Sequence, residues 1–366
     1  MKDKITIPFL ILLLTLYSCQ KEFDTKYVHI EHSWSLDSAV YGDGKILLNS
    51  VPINDSILAV ANSYSIKYIY TNNLKYTFTI FIPGHDLYSS GLVRPSLTKD
   101  ACVTRVDKNN LAIFNTYMPT YMNGIPVYFS PTYSLSSTSV KGIPPATIFN
   151  SGYPIIKSKY TLIPYETDFT AERAFFSLIT FDTSNFCNIT STKNIVIDNS
   201  ESAPFYDGAY YSWTFYDKFF VTYYGQSFRI DTLGNVKSLL SDASVFKGKY
   251  IEQMFTLNNH LFALGWNTMF VSNDQGESWQ IFADLGGTNW GRIQYFNVGS
   301  EVYAIYLSQI FSITLNGNTL NFQELDNDGL VGNQITSINK CGKYAFITTL
   351  SGLYYRDITT LNTKKK

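Results

Sequence analysis

Apolar and polar positions recur in a fixed order through the second half of the chain. Apolar runs follow short polar turns at Phe219-Phe220-Val221, Leu261-Phe262-Ala263, Val302-Tyr303-Ala304 and Lys343-Tyr344-Ala345, centred every 41 or 42 residues. A strand-like run precedes each: Ala209 to Tyr216, Tyr250 to Leu257, Arg292 to Val298 and Gln334 to Asn339. A third follows at Gln226 to Asp231, Met269 to Ser272, Gln309 to Thr314 and Gly352 to Arg356, and a fourth in three cases, at Val236 to Leu240, Trp279 to Phe282 and Leu320 to Leu325. No stretch keeps a helical period. Four short strands in such a repeat cannot bury both faces alone and must stack on neighbours. The pattern therefore predicts an all-β propeller.

The first half fits the same scheme less tightly. Ile46 to Val51, Ile57 to Val60, Ile66 to Tyr70 and Tyr76 to Ile82 read as one blade. Ala101 to Val106 and Leu111 to Phe114 begin a second, and Tyr160 to Tyr165, Ala174 to Thr180, Phe186 to Thr190 and Asn194 to Ile197 a third. Between them, Tyr117 to Gly152 is broken by prolines and reads as long loops within a blade. The count is seven four-stranded blades, or six if that stretch misleads. The last blade shows only three strands before a polar tail. Val28 to Val40 is the unassigned extended segment that can complete it, with Val28 and Ile30 or Trp34 and Leu36 pointing inward. The expected layout is a leader at 1–18, a tether at 19–27, one propeller at 28–361 and a frayed tail at 362–366.

One turn stands out. Ser272-Asn273-Asp274-Gln275-Gly276-Glu277-Ser278-Trp279 places Gly276 where the backbone needs φ > 0, Asp274 and Ser272 where side chains can bond turn N–H groups, and Trp279 where a flat ring can be buried. The S-x-D-x-G-x-x-W spacing resembles the Asp-box (BNR-type repeat) of sialidases and related propellers, matched at every defining position and present once. The resemblance implies that Ser272, Asp274, Gly276 and Trp279 are structural and lie opposite the ligand face.

The start of the chain carries Lys2 and Lys4, an apolar run from Ile5 to Leu16, and then Leu16-Tyr17-Ser18-Cys19. The run is too short for a membrane-spanning helix and fits a signal peptide. The last four residues resemble a lipobox, with Cys19 as the acylated residue and Tyr17 as the departure from pattern. Cys19-Gln20-Lys21-Glu22-Phe23-Asp24 is similar to the export tag of Bacteroidota surface lipoproteins. That resemblance implies an outer-membrane, cell-surface protein held by a lipid anchor.

Composition narrows the partners. The net charge is −1 and charged residues are 16%, with 28 Tyr and 26 Phe. Such balance argues against nucleic acid. Beyond Cys19, Cys102, Cys187 and Cys341 allow at most one disulfide and fit no zinc spacing; Cys102 reads as a buried thiol. His29, His32, His85 and His260 show neither triad nor metal spacing, so neither catalytic nor metal-binding residues are assigned, and no cofactor is expected. Sialidase chemistry needs converging arginines, and Phe228-Arg229-Ile230 lies mid-chain with Arg229 reading as a solvated strand residue.

Binding is the favoured reading. Loops entering the first strands and loops between second and third strands share one face. They hold Phe205, Tyr206, Tyr117, Tyr121, Trp266, Asn267 and Trp290, aromatic and amide side chains suited to sugars or proteins. The expectation is a non-catalytic surface lipoprotein binding a glycan or an envelope protein. Its rivals are a propeller glycoside hydrolase or lyase, and an envelope interaction scaffold.

Overall fold

The structure is a computed structural model. It describes residues 32–37, 46–62, 65–81, 95–99, 101–105, 110–115, 121–122, 125–126, 132–134, 147–148, 153–157, 159–166, 173–182, 188–198, 210–223, 225–239, 246, 251–265, 267–285 and 293–365. Ser33–Lys366 is one compact unit. The leader, Cys19 and the tether lie outside the described residues.

The elements are strands joined by short turns. Strand β1 is Ser35–Leu36; β2 (Asn49–Asn54), β3 (Ile57–Ala61), β4 (Ser65–Tyr70) and β5 (Lys75–Phe81) pair in order as the first full sheet. The second holds β6 (Ser96–Leu97), β7 (Ala101–Arg105) and β8 (Asn110–Asn115). After a ribbon of β9 (Tyr121–Met122) and β10 (Ile125–Pro126), β11 (Thr132–Ser134) returns to β8. In the third, β12 (Thr147–Ile148) and β13 (Ile155–Ile156) both pair with β14 (Tyr160–Glu166), followed by β15 (Arg173–Asp182) and β16 (Asn188–Asp198).

The remaining sheets follow the repeat. The fourth is β17 (Tyr210–Phe215), β18 (Lys218–Tyr223), β19 (Gln226–Asp231) and β20 (Val236–Ser238). The fifth is β21 (Gln253–Leu257), β22 (His260–Gly265), β23 (Thr268–Ser272) and β24 (Gln280–Asp284). The sixth is β25 (Gln294–Val298), β26 (Glu301–Tyr306), β27 (Gln309–Asn316) and β28 (Thr319–Glu324). The last holds β29 (Ile335–Cys341), β30 (Tyr344–Thr349) and β31 (Gly352–Asp357), with β1 antiparallel on β31. This is a β-propeller.

Burial explains the repeating apolar runs. The second strands β3, β18, β22 and β30 are buried almost end to end, because other sheets cover both of their faces. A strand buried on both faces reads as a continuous apolar run rather than an alternation. The outer strands β20, β24 and β28 are exposed or alternating. Each fully buried Leu, Ile or Phe contributes about 1.5–3 kcal/mol. Turns from first to second strand use paired left-handed residues, Tyr216 and Asp217 (φ 52° and 58°) and Asn258 and Asn259 (φ 50° and 64°), the backbone of a tight two-residue hairpin.

First strands adjoin one another: β21 meets β25, β25 meets β29, β29 meets β2, and β2 meets β6. Asparagine amides stitch this inner wall. Asn297 on β25 accepts from the Thr256 N–H and donates to its carbonyl, and Asn339 on β29 donates to the Ser50 carbonyl and hydroxyl. Between last sheet and first, hydroxyls continue the seam. Ser50 bonds Ser337 (2.8 Å), Ser337 bonds Thr348, Thr348 bonds Thr336 (2.8 Å), and Thr336 donates to the Leu47 carbonyl (2.8 Å). Ser50, Ser337 and Thr348 are buried, so each hydroxyl needs these partners.

The N-terminal segment closes the last sheet through Ser35↔Tyr355 and Leu36↔Tyr354. Only one of the expected inward pair is inward: Trp34 is 1% exposed, whereas Leu36 is 42% exposed. Trp34 precedes the two-residue strand and turns into an apolar cluster with Leu325, Leu330, Ile335, Tyr354 and Leu361. Its indole N–H donates to the Asp326 carbonyl (3.1 Å) and its ring lies 5.1 Å from the Arg356 guanidinium carbon. Val28 and Ile30 lie outside the described residues.

Three expectations are corrected. The tail is not frayed: Leu361 is buried, Asp326 N–H donates to the Thr363 carbonyl, and Lys365 N–H donates to the Glu324 carbonyl, because an exposed β28 edge and the Trp34 cluster both need cover. Phe186 to Thr190 and Asn194 to Ile197 are not two strands, since Asn188–Asp198 runs unbroken with one bulge. The broken stretch before Gly152 also supplies strands, β11 and β12, to two sheets. Cys102 and Cys341 are buried and form no disulfide among the described residues.

Removing residues 33–37 should lower the thermal midpoint, and removing the single indole (Trp34→Ala) should lower stability by about 3–5 kcal/mol. Deleting 361–366 should destabilise as well, since Leu361 seals the same cluster. Calorimetry of the three variants against wild type checks both; a tail deletion melting like wild type would leave Leu361 without a role.

Candidate functional site

Two ends of the sheets differ in chemistry. At one end lie the turns between third and fourth strands, including Ser272 to Trp279. The Ser272 hydroxyl accepts from Gly276 N–H (2.8 Å) and donates to Asp274 Oδ1 (2.8 Å). Asp274 Oδ1 also accepts from Glu277 N–H (3.1 Å) and Ser278 N–H (2.8 Å), while Oδ2 accepts from the Ser278 hydroxyl. These donors, the Ser278 hydroxyl foremost, hold the Asp274 carboxyl down at about 2. Gly276 has φ +84°, and a Cβ there would sit 2.6 Å from the Phe220 ring, so conformation and space both demand glycine.

The turn belongs to the fifth sheet but packs on the fourth. Trp279 meets Phe220 edge-on (6.4 Å) and Phe246 at 5.2 Å. Glu277 receives three cations from the fourth sheet: Arg229 at 2.5 Å, Lys218 at 2.6 Å and Lys237 at 3.7 Å. Arg229 foremost, then Lys218, pulls the Glu277 carboxyl down to about 2. Arg229 is therefore not a solvated strand residue; its side chain is 16% exposed and also reaches the Gly276 carbonyl. Register explains the convergence, because Trp213, Phe220, Arg229 and Lys237 form one row across the fourth sheet.

The opposite end carries the starts of the first strands and the turns between second and third strands. Tyr210 pairs with Tyr223, Gln253 with Leu264, Gln294 with Ile305 and Ile335 with Thr349, each beside such a turn. Most residues expected to bind ligand here lie outside the described residues: Phe205, Tyr206, Tyr117, Trp266 and Trp290. Tyr121 lies on β9, and its side chain is likewise outside. Asn267 is half-buried, and its carbonyl accepts from Leu285 N–H (2.7 Å), tying the turn to the end of β24. Asp326 to Asn333, the loop that enters β29, holds the N-terminal segment: Asp328 accepts from Ser33 and Trp34, and Asp326 from Trp34 and Arg356.

What the pattern did not single out is Tyr211. It lies second on β17, 36% exposed, its ring nearly parallel to Trp213 (16°, centroids 6.2 Å apart). Trp213 in turn packs on the cluster that contains Phe220 and Phe246 and borders Trp279. Tyr211, Thr222 and Ser227 form the next row of the fourth sheet, and the buried Ser227 hydroxyl accepts from Ile251 N–H (3.0 Å). That bond brings Glu252 of the fifth sheet beside the row. Partial burial, then the Glu252 charge, raises the Tyr211 hydroxyl above its ordinary range. The available signal was position: an aromatic residue at the start of a first strand.

Fold and site together define a β-propeller with a braced turn at one end and an exposed aromatic at the other. The chain is similar to a streptogramin B lyase at 12% identity, covering 88% of this chain and 97% of that one, with TM-score 0.56. It is similar to a catalytically inactive virginiamycin B lyase from Staphylococcus aureus with quinupristin (11% identity, 89% and 98% covered, TM-score 0.56). It also resembles the extracellular domain of a putative one component system from B. thetaiotaomicron (8% identity, 89% of this chain and 40% of that one, TM-score 0.52). No protein-family model and no curated protein matches the chain. At these identities the likeness is one of fold.

Glu277 gives a pH test. Its folded value lies below the ordinary 4.5, so its stabilisation is complete above about pH 5 and fades as pH falls toward 2. With the side chain 48% exposed, solvent screening limits the contribution to about 1 kcal/mol. Glu277→Gln should be less stable than wild type at pH 7, with the gap closing between pH 5 and pH 2 in denaturant titrations. A gap independent of pH would show that the cations contribute nothing.

Proposed function

We propose that this protein is a non-catalytic, lipid-anchored cell-surface propeller that binds a glycan or an envelope protein through the end carrying the first-strand starts. The observation that carries the reading is Tyr211, a ring held against Trp213 and open to solvent beside Glu252. The ring is partly exposed at this end of the fourth sheet, where an aromatic face can stack on a ligand. Asp274 and Glu277, both held well below the ordinary carboxylate range, serve a turn and its clamp, which supports a scaffold role for Ser272, Asp274, Gly276 and Trp279. Cys19 is the anchoring residue in this reading, and the extracellular neighbour from B. thetaiotaomicron supports a surface location.

The second reading is a lyase or glycoside hydrolase, drawing on the two antibiotic lyases that share the fold. Glycan-array binding and product analysis on the same purified protein separate them. Bound glycan recovered intact is the expected result, and cleaved or eliminated product would make the protein an enzyme. For the anchor, metabolic labelling with a fatty acid should mark wild type but not Cys19→Ala, and protease added to intact cells should remove the wild-type protein. Unlabelled wild type would sink the lipoprotein assignment.

A further inference from the structure

We propose that Leu307 and Val331 rest on the lipid surface into which the Cys19 anchor inserts. The inference builds on the lipid-anchor part of the reading above and is independent of what Tyr211 binds. Leu307 is 58% exposed and Val331 74%, and Tyr306 is exposed next to Leu307. Leu307 opens the turn from β26 to β27 with φ 56°, a left-handed backbone that a bulky side chain adopts only at a penalty. The matching turn of the fourth sheet meets the same need with Gly225 (φ 75°). Burial does not compensate Leu307, so an apolar side chain is held in solvent against its own backbone preference. Both tips are firmly based. Ile335 N–H donates to the Leu307 carbonyl (3.0 Å) and the Asn327 amide to the Ser308 carbonyl (3.0 Å), which ties the turn to the loop before β29. Within that loop Leu330 is buried in the Trp34 cluster, and its neighbour Val331 is left outside.

The occupant follows from where the chain arrives. Ser33 N–H donates to Asp328 Oδ2 (3.3 Å), the Ser33 hydroxyl to the Asp328 carbonyl (3.1 Å), and Trp34 N–H to that same carbonyl (3.0 Å). The segment leading from the anchor therefore meets the propeller three residues from Val331. From Cys19 to Ser33 a chain spans at most about 50 Å, so a lipid on Cys19 keeps this loop within that reach of the bilayer. The loop's two carboxylates are engaged within the protein, Asp328 on Ser33 and Asp326 near Arg356 (3.6 Å). What the loop and its neighbouring turn present is apolar, and apolar side chains settle at the boundary between headgroups and acyl chains. Separate tips fall far short of the roughly 800 Å² per partner that a stable protein interface buries. That favours a lipid surface over a second copy of the chain.

The test compares acylated protein in vesicles of phosphatidylethanolamine and phosphatidylglycerol with the chain from residue 19 carrying Cys19→Ala, free in buffer. Amide hydrogen exchange is read by mass spectrometry. On vesicles, exchange at 306–309 and 329–333 should slow at least fivefold, while the Asn316–Thr319 hairpin exchanges as it does in buffer. A double variant, Leu307→Asn with Val331→Thr, removes the apolar tips with residues that suit the left-handed backbone and keep the shape of valine. It should remain acylated and melt like wild type, yet lose the slowing. Unchanged exchange at both loops of acylated protein, or slowing that survives the double variant, overturns the proposal. Slowing in the unanchored protein that grows with its concentration assigns the surface to a second copy and overturns it too. Purified wild type with no acyl group on Cys19 instead removes the anchor reading, and this inference with it.

Discussion

A sheet whose middle strand is apolar on both faces must have a sheet on either side, and that requirement governs the whole molecule. Leu58, Phe220, Phe262 and Phe346 all sit on such strands and are all buried completely. No sheet in the series is stable as an end piece, so the series has to return on itself. The return is made twice over, by β29 meeting β2 at the inner wall and by β1 completing the last sheet on its outer side. Long-range contacts of this kind are entropically costly to form, which is why the seam is so densely hydrogen-bonded.

The seam between the first and last sheets adds a connected chain of hydroxyls to its apolar packing. The hydroxyl chain from Ser50 through Thr336, with Asn339 at one end, bonds partners nearly three hundred residues apart. Apolar surfaces slide past one another with little penalty. A chain of hydroxyls is satisfied in one register only, so these residues set how first and last sheets meet. Trp34 and Arg356 then fix the outer part of the same sheet.

Much of this was legible in the sequence, for a reason tied to burial. Continuous runs such as Phe219-Phe220-Val221 mark second strands because sheets lie on both faces, and their even spacing reports the repeat. What escaped the pattern depended on partners in another repeat or at the other end of the chain. Arg229 looks solvated until Glu277 of the next repeat is brought to it. Leu361 is a lone apolar residue in a polar tail, and its importance comes from Trp34, far away in sequence. Tyr211 was hidden for the opposite reason. Strand β17 alternates Tyr210-Tyr211-Ser212-Trp213-Thr214-Phe215, so every aromatic in it looks like core, and only its place at the strand's start separates the exposed one.

The last loop before the final sheet joins the two ends of the described chain. Asp328 holds Ser33 and Trp34, and two residues earlier Asp326 holds Thr363. The ends are thus neighbours, each tied to the same short stretch of backbone. A short linker from Lys365 to Ser33 would turn the chain into a covalent circle without disturbing either attachment. New ends could then be opened at an exposed hairpin such as Asn316–Thr319, yielding a circular permutant of the same fold.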